Sequence, residues 1–218
     1  KEYAMKIRNS LLMGAVALST LPTLAHAESP ISANIALTSD YIWRGTSQTD
    51  NGIAIQGGLD YAHASGFYLG VWGSNVDFND TANVEIDLYA GYSNELESGF
   101  SYDVGVIHYD YPGQGSSDFN EVYLGIGYGF INAKVSYDPE HENTYWEAGA
   151  DFELPEGFGL GLHLGYNDPD TGSEVTDWKI GLSKSYAGLD FELAYTDTDI
   201  SNNHLADGRG IFTISKSF

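Results

Sequence analysis

Residues 84–92 read Val84-Glu85-Ile86-Asp87-Leu88-Tyr89-Ala90-Gly91-Tyr92, and this stretch decides the fold. Apolar side chains alternate with acidic or polar ones along it. Successive side chains of a β-strand point to opposite faces, so a strict period of two indicates a strand with one apolar face. Nine residues are also about the length that a tilted strand needs to cross a bilayer. The segment is therefore predicted to be a membrane-spanning β-strand.

The same alternation recurs along the chain, and no segment after the N-terminal region has 18 consecutive apolar residues. Strands are predicted at residues 33–44, 53–61, 67–71, 84–92, 102–109, 121–128, 133–137, 145–154, 158–166, 178–184, 189–195 and 210–218. The sequence thus predicts an all-β fold, a single transmembrane antiparallel up-and-down β-barrel. About twelve strands are expected, within a range of about ten to fourteen.

The predicted connections alternate in length. Short turns at 63–66, 95–99, 129–130, 155–157 and 186–188 alternate with long loops at 45–52, 75–83, 110–118, 138–143, 167–176 and 196–209. Outer-membrane barrels have short periplasmic turns and long extracellular loops. This pattern predicts the outer membrane of a Gram-negative bacterium.

The N-terminal region resembles a secretory signal peptide. A basic start, Met5-Lys6-Ile7-Arg8, precedes an apolar stretch at 11–21 and the small-residue ending Ala25-His26-Ala27. We expect residues 1–27 to be the signal peptide, with residues 1–4 upstream of a true start at Met5. The barrel domain is then residues 28–218.

The chain is strongly acidic, with 9 basic and 31 acidic residues and a net charge of −22. The predicted leader contains Lys1, Lys6, Arg8 and Glu2, so the rest keeps 6 basic and 30 acidic residues and a net charge of −24. Such a charge repels nucleic acid and attracts cations. We expect no nucleic-acid partner.

The two faces of the predicted strands differ in charge. The apolar face is uncharged in the clearest strands, and we assign it to lipid, because a basic residue at the bilayer midplane costs about 2–4 kcal/mol. The other face is assigned to a water-filled lumen. Its predicted pore-lining residues are Asp40, Arg44, Asp60, Glu85, Asp87, Asp103, Glu121, Lys134, Glu147, Asp151, Lys179, Asp190 and Glu192.

Aromatic residues collect near the ends of the predicted strands, on the apolar face. This is typical of the aromatic girdles of membrane barrels. The members are Tyr41, Trp43, Tyr61, Phe67, Tyr92, Tyr128, Tyr137, Trp146, Phe158, Tyr166, Trp178 and Tyr195. Arg44 is read as the only arginine on a strand, at a strand end beside the first long loop. It is predicted either to pair with lumen carboxylates and narrow the mouth, or to form one exposed salt bridge.

The sequence resembles the TorF family of proteobacterial outer-membrane porins. The resemblance rests on Trp43-Arg44-Gly45-Thr46-Ser47-Gln48 and on blocks at residues 32–41, 56–61, 66–68, 73–76, 85–92, 109–113, 120–123, 153–157, 176–179 and 206–209. It implies an outer-membrane barrel and supplies no catalytic residue. The final aromatic, Phe218, resembles the recognition signal for barrel assembly. Expected partners are therefore outer-membrane lipid, periplasmic chaperones and the barrel-assembly machinery.

The function that follows is a narrow, acidic, cation-preferring pore for small hydrophilic solutes. One alternative is a non-conducting barrel with a receptor, adhesion or structural role, because twelve strands lie between the filled eight-stranded and the open sixteen-stranded barrels. A remoter alternative is a lipid-modifying enzyme, which would need a pair such as His108 with Ser116 or Ser117. No orienting third group is evident, so no enzyme and no cofactor are expected. The acidic loop groups lack EF-hand spacing, and no metal is expected.

Overall fold

A computed structural model describes residues 30–114 and 117–218, and the predicted signal peptide lies outside these ranges. Twelve strands form a closed barrel, and a two-stranded hairpin, β2 (Ile42–Trp43) with β3 (Thr46–Ser47), stands apart from it. The barrel strands are β1 (Ile31–Thr38), β4 (Ala54–Ala62), β5 (Phe67–Asn75), β6 (Val84–Glu95), β7 (Phe100–Asp110), β8 (Phe119–Tyr128), β9 (Ile131–Asp138), β10 (Asn143–Leu154), β11 (Phe158–Pro169), β12 (Val175–Tyr186), β13 (Leu189–Thr198) and β14 (Arg209–Ser217).

The barrel closes where β1 meets β14. These strands pair antiparallel, from Asn34 opposite Ser217 to Thr38 opposite Thr213, while β1 also pairs with β4. Every other barrel strand pairs with its neighbours in chain order. The predicted fold class and the strand number of twelve are confirmed.

The connections also follow the prediction. Short turns at 63–66, 96–99, 129–130, 155–157 and 187–188 lie at one end of the barrel, which we call the short-turn end. The long loops, among them 39–53, 76–83 and 199–208, lie at the other, the long-loop end. Among the described residues, no helix is long and apolar enough to span a membrane.

The outer face of the barrel is apolar, as predicted. Leu88, Leu124 and Leu193 are 52%, 50% and 62% exposed, whereas the inward Glu85, Asp87 and Glu121 are at most 2% exposed. Predicted girdle residues such as Phe67, Tyr128 and Trp146 are also exposed on the outer face.

The girdle prediction is wrong for Tyr41 and Trp43. The first strand was expected to run from residue 33 to 44, but β1 ends at Thr38. Tyr41 is buried at 3% exposure and belongs to an internal cluster against which Trp43 packs. Two successive residues, Asp40 and Tyr41, are both buried, which breaks the alternation of a strand. The chain leaves the wall here and turns into the lumen.

Glycine and tyrosine fit together on the lumen side of β5–β8. Tyr123 stands opposite Gly105 across β7 and β8, and a Cβ on Gly105 would lie 2.6 Å from Tyr123 Cζ. Tyr68 and Gly91 are paired in the same way between β5 and β6. Since only glycine leaves room for a ring flat against the wall, these positions let large side chains fill a narrow barrel.

Candidate functional site: a constriction in the lumen

The segment at 39–53 folds into the barrel and carries the β2–β3 hairpin at its tip. Arg44 and Gly45 form the turn with positive φ angles of 48° and 78°. A Cβ on Gly45 would lie 2.7 Å from Asp177 Cβ on β12, so the close approach requires glycine. We call this segment the constriction segment.

Asp40 fixes the base of the constriction segment. Its Oδ1 accepts hydrogen bonds from Ser47 Oγ at 2.6 Å and from Thr49 Oγ1 at 2.9 Å. Its Oδ2 accepts from Arg209 Nη1 on β14, also at 2.9 Å. Together these contacts hold the hairpin against the wall beside the β1–β14 closure.

Arg44 ties the tip of the segment to the far wall. Its Nη2 donates to Glu121 Oε1 at 2.6 Å, and their side chains are 11% and 2% exposed. Its Cζ lies 4.2 Å from the ring centroids of both Trp43 and Tyr145, within cation–π range. Glu121 lies on β8, five strands from β1 around a barrel of twelve, so the segment spans the lumen.

A cavity of about 60 Å³ borders Arg44. Its charged lining includes Lys134, Glu147, His163 and Lys179, on β9 to β12. A water molecule needs about 10–15 Å³ of such space, so this cavity has room for about four to six waters. The lumen is therefore narrow at the level of Arg44.

Ion pairs run along the β9–β13 wall. Lys134 Nζ lies 2.7 Å from Glu147 Oε1, and Lys179 Nζ lies 2.8 Å from Glu192 Oε1. Between them, His163 Nε2 lies 3.0 Å from Asp177 Oδ1. Tyr145 Oη donates to Asp177 Oδ2 at 2.9 Å. This wall is polar and bordered by the cavity, whereas the opposite wall is filled by aromatic side chains.

Glu85 and Asp87 face inward but are closed off from solvent, at 1% and 0% exposure. Tyr41 Oη donates to Glu85 Oε1 at 3.0 Å. Neither carboxylate oxygen of Asp87 has a hydrogen-bond partner among the described residues. These two acids therefore lie within the packed wall rather than beside open water.

The remaining inward acids lie toward the short-turn end. Tyr68 Oη donates to Asp103 at 2.7 Å, while Asp60 accepts from Tyr89 and Asp190 from Ser185. Asp151 is exposed on the inward side of β10. Each predicted pore-lining residue thus occupies the inward side of the wall or, for Asp40 and Arg44, the constriction segment.

Sequence reasoning missed three members of this site. Arg209 begins β14 and faces inward, so Arg44 is not the only arginine of the strands, and Arg44 itself lies in the hairpin turn. Asp177 lies just outside the predicted strand at 178–184, and His163 lies within the predicted strand at 158–166 but is not among the predicted pore-lining residues. Arg209 and Asp177 each come directly before a predicted strand, and continuing the alternation of that strand places their side chains on the lumen side. Predicted strands that began two residues earlier would therefore have included both.

Of the residues named for the enzyme alternative, the structure describes His108 and Ser117. His108 faces outward, and its Nδ1 lies 2.9 Å from Asn120 Oδ1, whose amide donates to Glu140 at 2.7 Å. Ser116 lies outside the described residues. Within residues 30–114 and 117–218, no group of three or more histidine or acidic side chains is placed to hold a metal ion.

Solved structures with similar folds are outer-membrane porins. A KdgM porin superposes with a TM-score of 0.60 at 12% identity, covering 86% of this chain and 98% of that one. A NanC porin gives 0.55 at 9% identity, covering 85% and 97%. At such identities the likeness shows the fold, a porin-like barrel, and it does not distinguish the TorF family from other barrels.

One curated protein also matches, a glucosamine-6-phosphate deaminase of Lactococcus lactis subsp. lactis (strain IL1403). It is 24% identical over 152 residues, and the match covers 69% of this chain. The aligned part spans 60% of the length of that relative.

A protein-family model described as "Bacterial protein of unknown function (Gcw_chp)" matches residues 24–218, which include every strand of the barrel. The chain therefore belongs to the Gcw_chp family.

Proposed function

We propose that this barrel is an outer-membrane porin with a narrow, cation-preferring pore for small hydrophilic solutes. The similarity to KdgM and NanC porins supports an outer-membrane porin fold. The observation that carries the selectivity is the uneven pairing of charges in the lumen. The inward basic side chains Arg44, Lys134, Lys179 and Arg209 all make ion pairs.

Several inward acids, in contrast, make no ion pair. Asp60, Asp103, Asp151 and Asp190 make no ion pair among the described residues, and they lie on the short-turn side of the constriction. An excess of carboxylates over basic side chains between low-dielectric walls focuses a negative potential into the lumen and favours cations. One KdgM structure is described in complex with disordered oligogalacturonate. An anion of that kind does not suit the lumen of this chain, where inward acids outnumber the inward basic residues.

Reversal potentials across planar bilayers under a salt gradient test the proposal. The protein should prefer cations at 0.1 M salt and lose most of the preference at 1 M, since the Debye length falls from about 10 Å to about 3 Å. Asp103→Asn and Asp151→Asn should each reduce the preference. The matched control is Asp168→Asn, which removes the same charge from the outward side of β11. Anion preference, or equal effects of the lumen and control variants, would refute the electrostatic account.

A second candidate, the non-conducting barrel, is favoured by the small cavity beside Arg44 and by the constriction segment that spans the lumen. The same recordings separate the two. If the wild-type protein does not conduct but the Arg44→Ala variant does, the constriction segment blocks the lumen. Silence in both would favour a receptor, adhesion or structural role.

A further inference from the structure

The lipid-facing wall carries few charges, and they are sorted by sign. Three acids, Asp110, Asp168 and Asp197, occupy outward positions near the long-loop end of the described strands. The register shows their orientation, because each stands opposite an outward-facing residue of the neighbouring strand. The basic residues there, Lys184 and Lys216, both lie near the short-turn end. In a chain of net charge −22, two lysines at the short-turn end of a mostly apolar face require a reason.

Register shows that the two lysines face outward and lie close together. Lys184 stands opposite Phe158 and Phe191, and Phe191 stands opposite Ile214. Lys216 is two residues further along β14, opposite the outward-facing Ile35. Strands lie about 4.8 Å apart and rise about 3.4 Å per residue, so the two Cα atoms are about 12 Å apart.

Neither lysine has an anionic partner within residues 30–114 and 117–218. Lys184 Nζ lies 4.1 Å from the Phe158 ring centroid and Lys216 Nζ 5.2 Å from that of Phe218, and neither makes an ion pair among the described residues. In contrast, the lumen lysines Lys134 and Lys179 are both paired. The aromatic contacts hold the ammonium groups at the edge of the apolar face, where a long flexible stem can reach a headgroup.

We propose that Lys184 and Lys216 form a site for the phosphate of an anionic phospholipid in the periplasmic leaflet. The short-turn end of an outer-membrane barrel lies on the periplasmic side. Phe191 and Ile214 lie between the two lysines and offer an apolar surface to the acyl chains. This site rests on the proposed membrane location and not on conduction.

The test uses the refolded barrel in nanodiscs that contain phosphatidylglycerol and phosphatidylcholine. Retained lipid is measured by native mass spectrometry after detergent extraction. A lysine near an anionic membrane surface contributes about 1 kcal/mol, which corresponds to about a five-fold preference. Lys184→Gln and Lys216→Gln should each reduce the preference for phosphatidylglycerol about five-fold, and the double variant about 25-fold.

The matched control is Lys179→Gln, which removes the same charge from the lumen side of β12 and should leave the lipid preference unchanged. No phosphatidylglycerol preference in the wild type, or an equal loss in the control, overturns the proposal. If the double variant fails to refold, the two single variants decide. Conductance recorded on the same variants is a separate readout, so a silent barrel with a lysine-dependent lipid preference refutes the pore and retains the site.

Discussion

The ion pair between Arg44 and Glu121 should determine whether the constriction segment stays in the lumen. Glu121 is 2% exposed and Arg44 11% exposed, and 2.6 Å separate the paired atoms. Removing one partner of a buried pair leaves the other charge without compensation, at a cost of about 3–5 kcal/mol. Glu121→Gln should therefore lower the free energy of unfolding by about that amount. Arg44→Met should lower it further, because it also removes the contacts with the Trp43 and Tyr145 rings.

The double variant Arg44→Met/Glu121→Gln leaves no unpaired charge, so its loss should be well below the sum of the single losses. Urea unfolding of the barrel in lipid vesicles gives the free energy of unfolding of the wild type, the two single variants and the double variant. The difference between the loss in the double variant and the sum of the two single losses is the coupling free energy. His204→Gln is the control, because its pair with Asp50 is exposed and exposed pairs contribute under about 1 kcal/mol. Additive losses, or single losses as small as that of the control, would refute a buried link across the lumen.

Two further predictions concern the wall. Leu88→Arg places a charge on the lipid face and should cost about 2–4 kcal/mol or block assembly, whereas Asp87→Asn, one residue away on the inward side, should be tolerated. Heat-modifiable migration on a gel checks both, and similar behaviour would contradict the assignment of the two faces. Gly70→Ala should destabilise the barrel by about 1–3 kcal/mol through overpacking against Tyr89, which stands opposite it and supplies the nearest atoms to a Cβ there, and Tyr89→Leu should rescue it in vesicle unfolding. No rescue would place the strain elsewhere.

Most of the barrel could be predicted from the sequence because outward and inward side chains alternate along every strand of its wall. The alternation in Val84-Glu85-Ile86-Asp87-Leu88 fixes which side chains face lipid, and a slip by one residue would exchange the two faces. Strand number and loop pattern follow from repeating that rule. The placement of lumen residues such as Glu121 and Lys179 follows as well, since both are set by parity.

The constriction segment could not be predicted by the same rule. Tyr41 and Trp43 continue the alternation of β1 in the sequence, so parity assigns them to lipid. Their actual position depends on partners distant in the chain, Glu85 for Tyr41 and Tyr109 for the Trp43 ring. A local signal was present in Gly45 and the hydroxyl groups that follow it, which favour a turn over a strand. Arg44 and its partner Glu121 are 77 residues apart in the chain, so the alternation around either residue does not predict their pairing.

The two walls of the lumen differ in a way that limits where a pore can run. The β4–β8 wall is filled by aromatic rings, and two of them, Trp72 and Tyr109, pack against Tyr41 and Trp43 of the constriction segment. The β9–β13 wall carries ion pairs and the cavity beside Arg44. Water and solute need polar partners, so the proposed pore runs along this second wall. A cation on that path leaves the paired side chains around Lys179 and then meets the exposed Asp151, whose charge no ion pair offsets. We therefore expect Asp151 on β10 and Asp190 on β13 to contribute most to the proposed cation preference, while Asp60 on β4 and Asp103 on β7 act from the opposite wall.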